Sequence, residues 1–290
     1  MIIVYLKGGL GNQLFQYAAA RSLAHKHNTI VKLDTTAYYY GGPRQYELYH
    51  FNIQENVAVT AEIRKLTDVK QNKFQKLLFA LLHNRSPLSA HHIRYNKALY
   101  KADFFNLPDN IYLEGYFQSE KYFINIADII RDEFKVKYEL TGKNKEIAEL
   151  MTNIQSVNIC VRRGDFITDD KANQKHGVCG LDYYYRCIEQ LVKKVKNPHF
   201  FVFSNDFDWC RDNLKIQYPV NYIDHQQDKA YEDLRLMSFC KHHIIGNSTF
   251  HWWGAWLAPY SDKLVFAPKK WFLKDNCQVD ELIPDSWLKI

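Results

Sequence analysis

The segment IIVYLKGGLGNQLFQYAAARSLAHKHNTIVKLD, residues 2–34, decides the fold. Ile2 to Leu6 is an unbroken apolar run short enough for a buried strand, and Gly8, Gly9 and Gly11 follow it as a turn. Leu14, Tyr17, Ala18, Arg21 and Leu23 then belong to a helix that ends near His27-Asn28. Thr29 to Leu33 predicts the next strand, so the segment is a parallel β-α-β unit.

The second half repeats this alternation more regularly. Strands are expected at Val157–Val161, His199–Ser204, Val220–Ile223, His243–Gly246 and Leu264–Ala267. Helices are expected at Leu181–Val195, Asp208–Leu214, Tyr231–Cys240 and Thr249–Leu257. Such alternation predicts a parallel sheet with helices on both faces. From about 36 to 110 the pattern loosens into tyrosine-rich and basic stretches. It resumes as a strand near Asn110–Gly115 and a helix from Ser119 to Phe134, and the polar stretch Lys135–Lys145 reads as a crossover. The expectation is a two-lobed α/β protein, residues 1–140 and 141–290, with ligands held beyond the carboxyl ends of the strands.

Composition removes other classes. In 290 residues, 47% are hydrophobic and 24% charged, with only 12 Gly and 8 Pro, which excludes collagen-like, disordered and disulfide-scaffold chains. The five apolar residues before Lys7 are too few for a signal-peptide core, and no run is long enough to span a bilayer, so a cytoplasmic location is expected. The cysteines (Cys160, Cys179, Cys187, Cys210, Cys240, Cys277) form no C-x-x-C pair and read as reduced core thiols rather than a zinc site. The net charge of +6 is local: residues 64–101 carry nine basic side chains and one acid (9 − 1 = +8), leaving 6 − 8 = −2 for the rest. Within that window Lys70, Lys73 and Lys76 precede an apolar run. They suggest either a helix packed on the first lobe or loose peripheral docking on an anionic membrane. A nucleic-acid-binding role for the window leaves the arginines and serines at the strand ends unexplained.

Those strand ends hold the candidate chemistry. Gly9, Gly11, Asn12 and Gln13 form either a plain turn, an incomplete dinucleotide fingerprint with Asp34 as ribose acid, or a loop facing a ligand; Leu14 occupies the fingerprint's third glycine position. Cys160 is followed by Arg162-Arg163-Gly164-Asp165, where one arginine suits phosphate recognition and the other can turn back to pair with Asp165. Asp206-x-Asp208 reads as a helix cap or a divalent-metal pair. Asp233 reads as a first-turn acid on the helix dipole or as a carboxylate for guanine N1–H and N2–H. Asn247-Ser248-Thr249 opens a helix, as a simple cap or as an anion site.

Four stretches in order, GGLGNQLFQYAAARSLA (8–24), VRRGDF (161–166), FVFSND (201–206) and IIGNSTFHWWGAWL (244–257), resemble the bacterial α-1,2-fucosyltransferases of glycosyltransferase family 11. The resemblance covers nearly the whole chain and implies a GT-B arrangement of two Rossmann-like lobes with a cleft between them. GDP-fucose would be held by residues 141–290, and residues 1–140 would form the acceptor side. It further implies metal-independent, inverting transfer of L-fucose to O2 of a terminal galactose on an oligosaccharide or lipid-linked glycan. By motif, Arg162 would stabilise the departing diphosphate, Asp233 would read guanine, and Asn247, Ser248 and Thr249 would bind the diphosphate. The Gly9–Gln13 loop would close over the donor. The family usually reads H-x-R-R, and here Cys160 stands first: a main-chain contact to guanine would survive the change, whereas if the family's imidazole itself does work this enzyme should be slow or use another group. Asp165, Asp170 and His176 remain open as the base. The acceptor is to be read by tyrosine-rich loops such as Tyr38-Tyr39-Tyr40 and Tyr46. A catalytically weak sugar- or nucleotide-binding protein and an NAD-binding oxidoreductase are the alternatives.

Overall fold

A computed structural model describes residues 1–68, 89–95, 100–164, 174, 177–225, 228–273 and 281–290. The Lys70–His83 segment, Asp165, Asp170, His176 and Cys277 lie outside the described residues. The chain divides into two compact units, Met1–Tyr49 with Ile53–Ile130, and His50–Asn52 with Arg131–Ile290. The change falls at Ile130–Arg131 rather than after residue 140, because the residues just beyond it are anchored in the second unit. Arg131 stacks on Trp256 at 4.4 Å and Phe134 meets Trp253 edge-on at 5.2 Å. His50 stacks on Tyr231 at 3.9 Å.

The first unit contains β1 (Ile2–Tyr5), α1 (Leu10–Lys26), β2 (Val31–Asp34), α2 (Thr60–Thr67), β3 (His92–Arg94), β4 (Ile111–Glu114) and α3 (Ala127–Glu133). Its parallel four-stranded sheet runs β2-β1-β4-β3. Helix α1 is buried on nearly every side, Gln13, Gln16 and Ser22 included, and Ala18–Ala20 keep it slim enough to be enclosed. The expected Ser119–Phe134 helix is instead two 3₁₀ turns, Glu120–Tyr122 and Ile124–Ile126, followed by α3. Phe123 breaks it with φ −146°, ψ 4° and is fully buried against Phe15. Burial of one aromatic ring here outweighs helical continuity.

The second unit contains α4 (Gly142–Asn153), β5 (Gln155–Val161), α5 (Leu181–Val192), β6 (Pro198–Ser204), α6 (Phe207–Asn213), β7 (Val220–Tyr222), α7 (Ala230–Phe239), β8 (His242–Ile244), α8 (Thr249–Leu257), β9 (Val265–Ala267) and β10 (Leu288–Lys289). Helix α4 begins inside the stretch read as a polar crossover; it buries only Ala148 and Met151, so its apolar signal is thin. The six strands are parallel in the order β7-β6-β5-β8-β9-β10. Counted from β5 this is 3-2-1-4-5-6, the Rossmann order, in which β5 and β8 lead away in opposite directions. The sheet is packed on both faces, by Val157, Ile159, Tyr184 and Leu191 on one and by Cys160, Phe201, Leu236 and Met237 on the other. Among the described residues no helix is long and apolar enough to cross a membrane.

Candidate functional site

The topological switch point of the second unit lies between the carboxyl ends of β5 and β8, where an open parallel sheet leaves a crevice. Two tyrosines of α5 pin the floor. Tyr184 donates its hydroxyl to the Cys160 carbonyl at 3.1 Å, and Tyr183 donates to the Ile245 carbonyl at 2.7 Å. Gly246 follows β8 in a place that admits no side chain: a Cβ would stand 3.2 Å from the Cys160 carbonyl oxygen and 3.3 Å from the Tyr184 hydroxyl.

Asn247 is 3% exposed and is used within the fold. Its amide nitrogen donates to the carbonyls of Gly177 and Trp271, both at 3.3 Å. Ser248 then takes the N-cap position of α8 in extended backbone, yet its hydroxyl makes no capping bond. The first-turn N–H groups of a helix have no partner within the helix. Here they stand beside two half-buried hydroxyls, on Ser248 and Thr249. The helix behind them is fixed: Trp252 and Trp253 are fully buried, and the Trp252 indole donates to the Leu282 carbonyl at 2.8 Å. The result is a rigid, positively polarised end without a carboxylate in its first turn.

The two arginines after β5 part company. Arg163 lies flat on Trp209, 3.8 Å from the ring centre, with its Nε 3.5 Å from an Asp206 carboxylate oxygen. That separation is an ion contact without a hydrogen bond, since the buried Nε is otherwise unpartnered. Among the described residues the ion partner of Arg163 is Asp206; Asp165 lies outside them. Arg162 is half-buried on the other side, near His251. Burial, with the Arg162 charge second, pushes the His251 imidazole down to about 3, so it is neutral. His251 is 4% exposed, and its ring lies against the Gly246 main chain, a contact that opposes part of the lowering. Sequence reasoning missed His251; its signal was a titratable group one turn into a helix whose apolar pattern otherwise called for packing. Asn205 secures the turn, its Oδ1 accepting the Arg163 N–H at 2.9 Å and the Gly164 N–H at 3.2 Å.

Asp206 caps α6, accepting the Trp209 N–H at 3.2 Å, while Asp208 is almost fully exposed and pairs with Arg211 at 3.6 Å. The two acids serve a helix start, as the capping alternative requires. Among the described residues no three His, Cys, Asp or Glu side chains are grouped to hold a metal ion. The first-turn acids of α7 also diverge. Glu232 is bound by Arg235 at 2.6 Å and Asn144 at 3.2 Å, whereas Asp233 is half-buried and lies close enough to Cys160 to help raise its thiol pKa, burial being the larger cause. The Cys160 side chain points into the core and donates to Asn158 Oδ1 at 3.1 Å, so what it offers at the strand end is main chain.

In the first unit the glycine loop is occupied by the chain itself. Gly8 has φ +84°, which requires glycine, and Gly9 is the N-cap of α1. Gly11 is buried within the first turn, and the Asn12 side-chain Oδ1 accepts from the Gln118 amide at 2.8 Å. Gln13 is fully buried: it donates to the carbonyls of Gly8 and Gln45 at 3.1 and 2.8 Å and accepts the Glu47 N–H at 2.9 Å. The Glu47 carboxylate takes the Leu10 N–H at the helix start; burial raises its pKa, against the lowering effect of Arg44 and of that N–H. Gln16 bridges the ends of β1 and β4, accepting the Lys7 N–H at 3.0 Å and donating to the Gly115 carbonyl at 3.2 Å. Asp34 is 2% exposed and accepts the Tyr112 hydroxyl at 2.7 Å and the Thr36 N–H at 3.0 Å. A dinucleotide's ribose would have to displace both.

Two Rossmann-like units of parallel strands make this an α/β protein of the GT-B glycosyltransferase fold. The solved structure of POFUT1 in complex with GDP-fucose shares that fold, with a TM-score of 0.52, 13% identity, and coverage of 91% of this chain and 97% of that one. The family model for glycosyl transferase family 11 matches residues 1–287, and the chain belongs to that family. Its relatives include an alpha-1,2-colitosyltransferase of Escherichia coli, 29% identical over all of this chain and 99% of the relative. The O-antigen biosynthesis glycosyltransferase WbnK of Escherichia coli is 31% identical, covering 98% and 99%. The galactoside alpha-(1,2)-fucosyltransferase 1 of Aotus azarae is 30% identical over 60% of this chain and 54% of its own length.

Proposed function

We propose that this glycosyltransferase moves L-fucose from GDP-fucose to O2 of a terminal galactose, with inversion, in the synthesis of a surface glycan. The observation that carries the reading is the convergence at the β5/β8 switch point of Arg162 with the N-terminus of α8, where the N-cap Ser248 makes no side-chain capping bond and Thr249 follows it. That is a place for a diphosphate. Asp233, on the neighbouring α7, is the carboxylate for guanine, and the Cys160 main chain lies beside it. The names of the relatives, two of which specify α-1,2 transfer, support the linkage.

In this reading the acceptor oxygen attacks the anomeric carbon as the bond from that carbon to the diphosphate oxygen breaks, and the electron pair leaves with GDP. Charge grows on the diphosphate, where the Arg162 guanidinium and the α8 N–H groups stabilise it; such fixed electrostatics are the largest expected contribution. The neutral His251 beside Arg162 keeps a second positive charge away from the guanidinium. These groups do the work that a divalent cation would do, so transfer is expected to proceed without metal. The proton of the acceptor hydroxyl goes to a base for which Asp165, Asp170 and His176 remain the candidates from sequence. The test is to incubate the protein with GDP-fucose, or with the corresponding colitosyl donor, and a panel of β-galactosides, with and without EDTA. Fucosylated product at O2 in both conditions is expected. Colitosyl product alone would replace the donor, and loss in EDTA with recovery on manganese would overturn metal independence.

A further inference from the structure

The first unit has a concavity of about 360 Å³, within the size range of small-molecule sites, lined by Thr35, Tyr38, Tyr39, Arg44, Gln45 and Tyr46 among others. Its aromatic wall is built and braced. Tyr38 donates to the Gly8 carbonyl at 3.0 Å, and Tyr46 donates to Glu55 at 2.8 Å and packs on Tyr38 with centroids 6.4 Å apart. Burial raises both hydroxyls well above the usual phenol range, so they stay neutral. Tyr39 differs: it is 63% exposed, its hydroxyl accepts from the Thr35 hydroxyl at 3.1 Å, and it presents its ring to solvent.

The lining suits a sugar ring. Arg44 packs beside Gly9, and its charge is opposed by that of Glu47, which holds the α1 N-terminus. A ring with one apolar face and many hydroxyls fits aromatic faces beside the Arg44 guanidinium and the Gln45 amide. We propose that this concavity is the subsite for a neutral hexopyranose, the terminal sugar of the acceptor glycan, with Tyr39 as its stacking platform. The proposal rests on the transferase reading above and assigns the acceptor recognition within it.

The experiment is ligand-observed saturation-transfer NMR with lactose, N-acetyllactosamine and galactosyl-N-acetylgalactosamine on the full chain, without any donor, for wild type, Tyr39→Ala and Tyr39→Phe. GDP binding and the acceptor and donor KM values are measured beside it. Tyr39→Ala is expected to weaken saccharide binding and raise acceptor KM by about five- to tenfold, with GDP affinity and donor KM unchanged, and Tyr39→Phe to stay within about twofold of wild type. Unaltered saccharide binding in Tyr39→Ala overturns the subsite, as does a loss of GDP binding instead or a wild type that binds none of the three sugars. Because the NMR arm uses no donor, failure of fucosyl transfer with saccharide binding intact counts against the donor reading and not against the subsite.

Discussion

The starts of α1 and α8 are built alike from sequence, each a strand, a turn of small residues and a helix, and they end up in opposite states. At α1 the Leu10 N–H is taken by Glu47, Gln13 clamps the loop to residues 45–47, and Gln16 stitches β1 to β4. At α8 the N-cap Ser248 makes no side-chain capping bond, the first turn holds no acid, and Arg162 is nearby. A helix dipole attracts an anion wherever the helix begins. What separates the two is whether the protein has supplied its own. In the proposed reading the glycine loop of the first unit serves the architecture, and the switch point of the second unit takes the charged ligand.

The largest test of this contrast is Arg162→Ala. Removing a preorganised charge from the leaving-group site is expected to lower kcat by about 10²–10³ while the far-UV circular dichroism and melting temperature stay near wild type. The same truncation at Arg44, whose charge faces Glu47 and which lines the proposed acceptor subsite, is expected to leave kcat at saturating acceptor within about threefold, any loss falling on acceptor KM. Equal losses in the two variants would erase the distinction between the helix ends.

Second in size is an effect of pH on stability. His251 has its folded value pushed down to about 3 from 6.5, so the unfolded chain takes up a proton that the folded chain refuses. Stability from this group is full above the unfolded value and is lost as pH falls from there towards the folded one. His243, fully buried and lowered well below the usual range, acts in the same direction. Urea unfolding at about pH 7, 6 and 5 should show wild type losing about 1.4 kcal/mol per pH unit more than His251→Gln on the acid side. Parallel slopes in the two proteins would mean that the imidazole is wet and charged.

How much of this was readable beforehand follows from where information resides in a chain. The first β-α-β unit and the second sheet were legible because buried parallel strands and amphipathic helices carry strong periodicity, as in Phe200–Phe203 and Leu181–Leu191. Helix α4 was not, since it buries two side chains, nor was β10, two residues at an edge. Arg162 and Ser248 were legible because strand ends expose them. The role of Gln13 was not: its partners Gln45 and Glu47 lie 32 and 34 residues away in a loop without pattern. The Asp206 contact of Arg163 is the same lesson, for Asp206 arrives from the end of the neighbouring strand β6.

The smallest expected effect cuts closest to the contrast. If Glu47 is the anion that α1 would otherwise seek, Glu47→Gln keeps an acceptor for the Leu10 N–H and gives up the charge. The buried carboxylate's desolvation and its attraction to the dipole and Arg44 then vanish together. The net change should lie within about 1 kcal/mol, a shift of about 2–4 °C in Tm at most. The raised folded pKa fixes the sign with pH: the Glu47 contribution declines as pH rises through the carboxylate range, so Glu47→Gln compares best with wild type at neutral pH and worst in acid. Glu47→Ala goes further and leaves the helix end unfilled. Sulfate at about 50 mM should then raise its Tm relative to Glu47→Gln by about 1–3 °C, as expected of an open helix N-terminus. A Tm of Glu47→Ala that sulfate does not move would show that the glycine loop closes itself without a carboxylate, and the difference between α1 and α8 would have to be sought in their backbones.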